Sequence, residues 1–388
     1  MRDNDINESL ISSADRTARW LCDVAAPLWS QTGRTASGLF PERIALSGIA
    51  ESDYFRVFVQ ARHIFAFRAI GQIGWSGPWR ELIGETMTTL IGAAKRSDGF
   101  YVHTLNSSAG PLDRRVDLYD QAFVLLALAT AGEALGDAKW FDLAEELLDN
   151  INSKWLHPKG GFTEGEIANP SVRRQNPHMH LFEATLALSE ASGRLCFVNV
   201  ADAIAELAVQ RLIDPSTGAL LEYFTDDLLP AFGVDGRIVE PGHCFEWAWL
   251  FERLAAAGKL DAIPVADRLT TFARTYGIDR SRNVAINEVL TDGTVHNGDA
   301  RLWPQTERLK AACARYRRTG QVAEANEVDA AVRGLEQYYA SDVSPGLWRD
   351  KLLLDGRWID EQAPGSSLYH IACAYAELHA SVPPYLGV

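Results

Sequence analysis

The sequence is short of cysteine and of long apolar runs, and each shortage argues against a class of protein. The five cysteines are scattered and form no CxxC pair, so neither a disulfide framework nor a structural zinc site is expected. They are Cys22, Cys196, Cys244, Cys313 and Cys373. No apolar run of about 18 residues stands out, which predicts no membrane span. The N-terminus, MRDNDINESL, is polar and lacks the apolar core of a signal sequence, so a cytoplasmic protein is predicted.

Positive charge and nucleotide-binding motifs are also scarce. The chain has 37 basic and 51 acidic side chains, a formal net charge of -14. This balance argues against a nucleic-acid partner and against an anionic membrane surface, and it suits a neutral ligand. A phosphorylated ligand would need its own arginine pocket, and no dense cluster of Arg and Lys is visible. The sequence contains no GxGxxG, GxxxxGK[ST], GxSxG or HExxH motif in a usable context, so nucleotide-driven and serine-hydrolase chemistry have no support.

What the chain does contain is a recurrence of apolar, helix-like segments at intervals of roughly 60 to 66 residues. Five of these segments follow a proline, which predicts that a helix starts there, because the first turn of a helix needs no N–H from that residue. The prolines are Pro111, Pro177, Pro241, Pro304 and Pro364. Three segments carry a histidine near the start, namely His180, His243 and His370. A sixth segment, DYFRVFVQARHIFAF, precedes the others and contains Arg62.

Periodicity predicts about twelve helices of two alternating kinds. They lie near residues 9–30, 54–75, 80–97, 115–133, 138–154, 178–193, 196–213, 242–257, 260–276, 302–318, 322–340 and 366–381. One kind is apolar nearly all round and the other has a single apolar stripe, which indicates an inner and an outer ring. Glycines are expected to end the first helix of several pairs: Gly132, Gly193, Gly258 and Gly320. Long loops, with β-turns and short hairpins, enter only the inner helices, which is typical of a functional face.

This organisation predicts one domain over residues 1–388, with no low-complexity linker. An open solenoid is the alternative architecture. Closure is favoured because six helix pairs fit the length, and the unpaired first helix can pair with the unpaired last one. The predicted class is therefore all-α, a closed ring of six helical hairpins.

Histidine–carboxylate pairs at the starts of inner helices are the first candidates for chemistry. His243 and Glu246 are three residues apart and share a helix face, as do His180 and Glu183. The field of a helix N-terminus should lower the pKa of His243, leaving a neutral base near pH 7. Buried histidines that merely hydrogen-bond a neighbouring carboxylate would show the same spacing. His370 occupies the equivalent position in the last inner helix, which favours function for all three.

Other polar or aromatic side chains are predicted to share the same rim. Trp303 could stack on a sugar ring while Glu307 holds hydroxyl groups, although Trp303 could equally be a core residue. Arg62 lies in an apolar helix and needs either a carboxylate partner or a ligand oxygen. Tyr119 and Asn176 are plausible hydrogen-bonding groups.

A metal site is the alternative for the histidine–carboxylate pairs. Two H-x-x-E pairs could hold one ion, but di-iron bundles use the order Glu-x-x-His and further glutamates. We therefore predict no metal and no other cofactor.

Five ordered motifs resemble the N-acylglucosamine 2-epimerase superfamily over nearly the whole chain. They are VQARHIFAF, RRQNPHMHLFEATLAL, EPGHCFEWAWLFE, RLWPQTERLKA and SLYHIACAYAEL. The resemblance implies an (α/α)6 barrel with short β-hairpins in the loops of one face. It also implies catalytic histidines at His243 and His370, with substrate-binding residues at Arg62, Asn176, His180, Glu246, Trp303 and Glu307. Tyr119 is predicted to bind substrate from its place on the rim alone. QNPHMHLFEA and the compact length look most like the mannose isomerases.

The chemistry that this resemblance implies is proton transfer next to a sugar carbonyl. The predicted function is an aldose–ketose isomerase of the D-mannose/D-fructose type, working through an enediol(ate), with Glu246 orienting His243. The alternative is a 2-epimerase that uses two histidines on opposite faces of C2. Two other classes stay open: a glycoside hydrolase with Glu246 and Glu307 as an acid/base pair, and a helical-repeat binding protein without catalysis. The sequence leaves the sugar and the oligomeric state undetermined.

Overall fold

A computed structural model describes residues 3–169, 171–339 and 342–382, with no side-chain description before Glu8. Thirteen α-helices lie in these ranges: α1 (Asp3–Arg19), α2 (Ala26–Gln31), α3 (Val57–Ile73), α4 (Trp79–Thr89), α5 (Leu118–Leu135), α6 (Lys139–Trp155), α7 (Asn176–Ser192), α8 (Leu195–Leu207), α9 (Pro241–Ala256), α10 (Ile263–Tyr276), α11 (Leu302–Thr319), α12 (Val322–Glu336) and α13 (Ser367–Ser381). A π-helical segment, Trp20–Ala25, joins α1 to α2 in one continuous rod, so the predicted twelve helical segments all form.

The helices form two concentric rings, as predicted. The inner ring consists of α3, α5, α7, α9, α11 and α13, each in contact with the next, and α13 returns to contact α3. The outer helices α4, α6, α8, α10 and α12 each pack against the inner helix that precedes them, and α1 packs against α12 and α13. The first and last helices therefore close the ring, which makes the fold an (α/α)6 barrel. One predicted helix boundary, residue 340, lies outside the described residues.

The inner helices are apolar because they are covered on both sides. In α5, every residue from Leu118 to Gly132 except Tyr119 is buried. This helix is long and apolar enough to span a membrane, contrary to the expectation from sequence that no such run exists. Its position in the inner ring accounts for its composition, since 78% of the span is buried inside the protein. By contrast, the outer helix α6 buries only a stripe that includes Trp140, Leu147 and Ile151.

Short antiparallel strands cover the end of the barrel where the inner helices begin. They are β1 (Arg43–Ile44), β2 (Phe55–Arg56), β3 (Thr104–Leu105), β4 (Pro111–Asp113), β5 (Arg173–Arg174), β6 (Tyr223–Phe224), β7 (Ile238–Val239), β8 (Ile278–Asp279), β9 (Val284–Ala285), β10 (Glu288–Leu290), β11 (Val295–Asn297), β12 (Ala300–Arg301), β13 (Lys351–Leu352) and β14 (Ala363–Pro364). The predicted hairpins are present as β3–β4, β8–β9 and β10–β11.

The remaining strand pairs join the loop before one inner helix to the loop before another. They are β2–β3, β5–β6, β7–β10, β12–β13 and β14–β1. The single bridge between Asp117 and Gly165 connects the loops that enter α5 and α7. The rim is therefore a continuous belt of backbone hydrogen bonds, which fixes the positions of the helix N-termini that it surrounds.

Two of the five prolines do not start a helix. Pro111 lies in β4 and Pro364 in β14, so both precede their inner helix by several residues. Strand edges tolerate proline where its nitrogen faces away from the ladder. Pro177, Pro241 and Pro304 do lie in the first turn of α7, α9 and α11, as predicted.

One predicted helix end was also wrong. Gly132 lies inside α5, which continues to Leu135 and ends at Gly136 with a φ of 67°. Gly132 is small for a packing reason, because a Cβ there would lie 2.4 Å from the Phe141 ring of α6. The other predicted ends hold: Gly193 and Gly320 terminate α7 and α11 in the left-handed conformation, and Gly258 follows α9.

Candidate active site

The three rim histidines lie at the same end of the barrel, near the N-termini of three inner helices. His180 is in α7, His243 in α9 and His370 in α13, and each is at most 5% exposed. Successive inner helices run in the same direction, because each is separated from the next by an outer helix that returns the chain. Equivalent positions in sequence therefore come together in space.

Each of these histidines has a carboxylate at its Nδ1. The pairs are His180 with Glu183 at 3.2 Å, His243 with Glu222 at 3.0 Å and His370 with Glu307 at 2.8 Å. An ionised carboxylate only accepts hydrogen bonds, so a ring that is paired with one carries a proton on Nδ1. Nε2 is then the nitrogen that remains for a ligand, a proton or another side chain.

His243 lies in an acidic environment. Burial alone would lower its pKa, but the carboxylates of Glu222 and Glu240 outweigh burial and raise it to about 10. Glu240 Oε2 lies 3.7 Å from Nδ1. The expectation that the helix N-terminus keeps this histidine neutral was therefore wrong, because the nearby carboxylates outweigh the partial charge of a helix end. His243 is an imidazolium at neutral pH.

His370 lies in a cationic environment. Burial lowers its pKa well below the usual value, and the positive charges of Arg62 and Lys310 lower it further. His370 is therefore a neutral imidazole at neutral pH. Burial also lowers the pKa of His180, although Glu183 opposes that effect.

Asn176 contacts Nε2 of His243, the nitrogen that remains for a ligand. Its Nδ2 lies 3.2 Å from Nε2, while its Oδ1 is buried without a partner among the described residues. A charged imidazolium donates from both nitrogens, so a half-turn of the amide, with Oδ1 accepting from Nε2, satisfies both groups.

Arg62 has no carboxylate within ion-pair distance in the part of the chain that the structure describes. Its Nη2 donates to the Tyr119 hydroxyl at 2.6 Å, and its Nη1 donates to the Ser366 carbonyl at 3.3 Å. Aromatic rings surround the guanidinium, namely Phe58, Tyr119, Phe123 and Tyr369. Of the two partners foreseen from sequence, a ligand oxygen is the one that remains.

Trp303 is not a core residue. It is partly exposed, and its ring lies between His243 and His370, with centroid distances of 4.8 Å to His243 and 6.0 Å to His370. Gly242 makes this position possible, because a Cβ there would lie 2.6 Å from the Trp303 ring. A flat apolar surface between an acid and a base suits the face of a sugar ring.

The two predicted glutamates lie deeper than expected. Glu246 is 1% exposed and has no hydrogen bond to His243 among the described residues, so the idea that it orients His243 does not hold. Glu307 is fully buried and contacts His370 and Lys310. Neither carboxylate is free to flank a glycosidic bond, which argues against the hydrolase alternative.

Sequence reasoning missed three members of this site. Glu222 and Glu240 come from the strands and loops before α9. Glu240 is the first residue of the EPGHCFEWAWLFE motif but was not singled out, and no motif marks Glu222, which strand pairing alone brings to His243. Lys310 follows Glu307 by three residues on an inner helix and is fully buried. A lysine inside a stripe that should be apolar was a detectable signal.

Among the residues that the structure describes, three groups of side chains have donor atoms within 4.8 Å of one another and could hold a metal ion. They are His180 with Glu183 and Glu246, Glu222 with Glu240 and His243, and Glu246 with Glu307 and His370. In the last group the Lys310 ammonium lies 2.6 Å from Glu307 and 3.8 Å from Glu246. It thus already supplies a positive charge to those two carboxylates.

A polar cavity of about 630 Å³ adjoins the site, and Ser366, whose carbonyl binds Arg62, lies in its wall. This volume lies within the range of pockets for small ligands. Four basic side chains line it, namely Arg43, Arg56, Arg301 and Lys351. Five acidic side chains also line it, namely Glu42, Glu51, Asp53, Asp350 and Glu361. Such a mixed lining suits a ligand with many hydroxyl groups.

Comparison with known proteins agrees with this geometry. The family model described as N-acylglucosamine 2-epimerase (GlcNAc 2-epimerase) matches residues 40–374. The chain belongs to the N-acylglucosamine 2-epimerase family. It is therefore an enzyme of the isomerase class, as predicted from the motifs.

Individual relatives extend over most of the chain. A Rhizobium meliloti (strain 1021) protein named mannose-6-phosphate isomerase is 40% identical over 375 residues, covering 94% of this chain and 96% of its own length. A D-mannose isomerase of Thermobifida fusca is 29% identical over 58% of this chain and 59% of its own. The solved cellobiose 2-epimerase of Bacillus thermoamylovorans B4167 has the same fold, with a TM-score of 0.86 and 16% identity over 95% of this chain and 98% of its own.

Proposed function

We propose that the protein is an aldose–ketose isomerase that interconverts a mannose-type aldose and the corresponding 2-ketose. The observation that carries this proposal is the contrast between His243, held as an imidazolium, and His370, held as a neutral imidazole, on either side of Trp303. An acid and a base that are ready at the same pH are what ring opening and proton transfer next to a carbonyl require.

His243 assists ring opening. Its Nε2 donates a proton to the ring oxygen O5 as the C1–O5 bond breaks, and the proton that leaves the O1 hydroxyl replaces it. The open chain then carries an aldehyde at C1. Arg62, which has unused donor capacity, binds O1 or O2 and stabilises negative charge there.

His370 moves the proton. Its unprotonated Nε2 removes the proton from C2, the C–H electrons form the C1=C2 bond, and O1 takes up negative charge as an enediolate. His370, now an imidazolium, then protonates C1, while the proton of O2 passes to O1 and C2 becomes a ketone. Both histidines finish in the states in which they began.

This return to the starting states favours isomerisation over 2-epimerisation. An epimerase in which His370 removes the proton and His243 replaces it on the other face ends with His370 charged and His243 neutral. Both environments oppose that outcome, and each pKa unit of opposition costs about 1.4 kcal/mol. The names of the relatives in Rhizobium meliloti and Thermobifida fusca support the same choice.

The substrate is proposed to be an uncharged hexose, because acidic side chains outnumber basic ones in the adjoining cavity. A 6-phosphorylated hexose is the second candidate, favoured by the name of the 40% identical relative. Independence of metal, a cytoplasmic location, a single domain and the absence of nucleic-acid and membrane partners stay predictions from sequence.

The test is to treat the protein with a chelator and incubate it in D₂O with D-mannose and, separately, with D-mannose 6-phosphate, following each by NMR. The expected result is a ketose, formed faster from mannose, with deuterium at C1 to the extent that the proton on His370 exchanges with D₂O before it is returned. A higher kcat/KM with the phosphate ester would shift the substrate to the second candidate. An aldose epimer with deuterium at C2 and no ketose would establish the 2-epimerase instead, and inertness toward both sugars would contradict the proposal.

A further inference from the structure

Lys310 is a fully buried charge to which the proposed reaction assigns no step. It lies in α11, three residues after Glu307, and its side chain has no exposed surface. Its ammonium is 2.6 Å from Oε2 of Glu307 and 3.8 Å from Oε1 of Glu246. The ammonium also lies 3.8 Å from the centroid of the Trp249 ring. A lysine is rarely buried to this extent unless a specific partner holds it there.

Glu307 connects this lysine to the proposed base. Its Oε1 accepts from Nδ1 of His370 at 2.8 Å, and its Oε2 faces Lys310. The three groups therefore form a continuous Lys310–Glu307–His370 chain. Among the described residues, the ion pairs of Lys310 are with Glu307 and Glu246 and not with the rim residues around Nε2 of His370. Its charge lowers the pKa of His370 through space, whereas its contact with Glu307 is the route by which it can act on the tautomer of that ring.

The charge state of Glu307 decides the tautomer of His370. Burial and the neighbouring Glu246 carboxylate raise the pKa of Glu307 well above its usual value, and the Lys310 ammonium, 2.6 Å from Oε2, is the nearest charge that opposes them. A protonated Glu307 would donate to Nδ1 instead of accepting from it, which would put the imidazole proton on Nε2. In that tautomer His370 has no lone pair directed at the substrate and cannot act as a base.

We propose that Lys310 is a positioning residue that keeps Glu307 ionised and thereby holds His370 in the tautomer with its proton on Nδ1 and Nε2 free. This inference rests on the proposed function in one respect, namely that His370 is the base. The Lys310 ammonium is a fixed counter-charge to the Glu307 carboxylate, and it takes no part in proton transfer.

The test replaces Lys310 with methionine, which keeps the length of the side chain and removes its charge. We expect kcat to fall roughly 10- to 100-fold, which reaches at most the lower end of the ~10²–10⁴-fold cost of a lost general base, and KM to change less than about twofold. Selective ¹⁵N labelling of histidine should show the His370 signals move from the Nδ1-protonated to the Nε2-protonated pattern, with a His370→Gln variant assigning them.

The matched control is Arg308→Met on the same helix. Arg308 is 3% exposed and donates to Glu327 at 2.7 Å, away from the candidate site. The Arg308→Met substitution removes a buried cation and its ion pair, so it should lower the stability of the fold while leaving kcat and the His370 signals unchanged. A loss of kcat in Arg308→Met equal to that in Lys310→Met would overturn the inference.

A second variant covers the case in which Lys310→Met does not fold. Glu307→Gln removes the carboxylate charge, and Glu307→Gln/Lys310→Met removes both charges of the pair. If Lys310 sets the tautomer through Glu307, the double variant should have the same kcat as Glu307→Gln alone when both are measured on the pH plateau, where His370 is neutral. A further tenfold loss in the double variant, or an unchanged His370 tautomer in Lys310→Met, would refute the proposed role. The NMR readout needs no turnover, so inertness of the wild type toward sugars would count against the proposed function alone.

Discussion

His243 and His370 flank the same tryptophan ring but stand in opposite electrostatic surroundings. Glu222 and Glu240 face His243 and raise its pKa to about 10. Burial, Arg62 and Lys310 lower the pKa of His370 well below its ordinary value. Both rings have the same chemistry and the same Nδ1–carboxylate contact, so the difference lies in the charges beyond that contact. Two copies of one side chain thereby become an acid and a base.

The largest effect is expected from removing either histidine. His370→Ala and His243→Ala should each lower kcat by roughly 10²–10⁴-fold, because each removes a group that transfers a proton. Only His370→Ala should also abolish exchange of the C2 proton with D₂O when an open-chain aldose analogue is supplied. Steady-state turnover and deuterium incorporation measure the two effects, with circular dichroism to confirm folding. Near-wild-type turnover in either variant would contradict the assignment.

Arg62→Met, which removes a cation near His370, should produce the next largest loss of kcat. Losing a cation that stabilises the enediolate should lower kcat by about 10²-fold. Arg68→Met is the matched control, because Arg68 lies on the same helix and pairs with Glu133 at the opposite end of the barrel. The control should retain full turnover. Equal losses in the two variants would show that the effect of Arg62 is structural.

Glu222→Gln should reduce the difference in pKa between His243 and His370 by lowering the pKa of His243. Its carboxylate raises the pKa of His243, so its removal lowers that pKa. The imidazolium is lost as pH rises through its pKa, so the alkaline limb of kcat/KM, expected near pH 10 in the wild type, should move to lower pH. At pH 9 the rate should fall roughly tenfold. An unmoved alkaline limb would mean that His243 is not the acid.

Glu240→Gln should have the smallest effect and should move the same limb in the same direction. Glu240 lies 3.7 Å from Nδ1 and is 24% exposed, whereas Glu222 lies at 3.0 Å and is 3% exposed. Solvent screens the more exposed carboxylate, so we expect a shift smaller than that of Glu222→Gln and a loss of less than about threefold at pH 9. A larger shift than in Glu222→Gln would reverse the ranking of the two carboxylates.

Much of the fold could be predicted because it depends on local patterns. Apolar periodicity predicted the helical segments, and the alternation of fully apolar with one-sided helices predicted the two rings. The errors arose where packing overrides a local signal. Gly132 has the composition of a helix end but is small because Phe141 packs on it, and Pro111 and Pro364 belong to strands that exist only through pairing with neighbouring loops.

The site was predictable only in part, for the same reason. The positions of His180, His243 and His370 relative to their helix starts were sufficient to place them at one end of a ring. Their charges were not predictable, since Glu222 is 21 residues from His243 in sequence and Glu307 is 63 residues from His370. The prediction from local spacing that Glu246 orients His243 was therefore wrong, because the carboxylate at Nδ1 of His243 is that of Glu222.

The amino-acid sequence by itself determined the helices, their order and the end of the barrel at which the polar side chains collect, because helix periodicity and chain direction are local properties. Only the tertiary structure decided which histidine is charged. That decision depends on a few ångströms between groups that are distant in sequence, brought together by the strand belt for Glu222 and by the closed inner ring for Arg62, Glu307 and Lys310. Electrostatic energy in a buried site varies steeply with such distances, whereas the pattern of apolar residues does not depend on them.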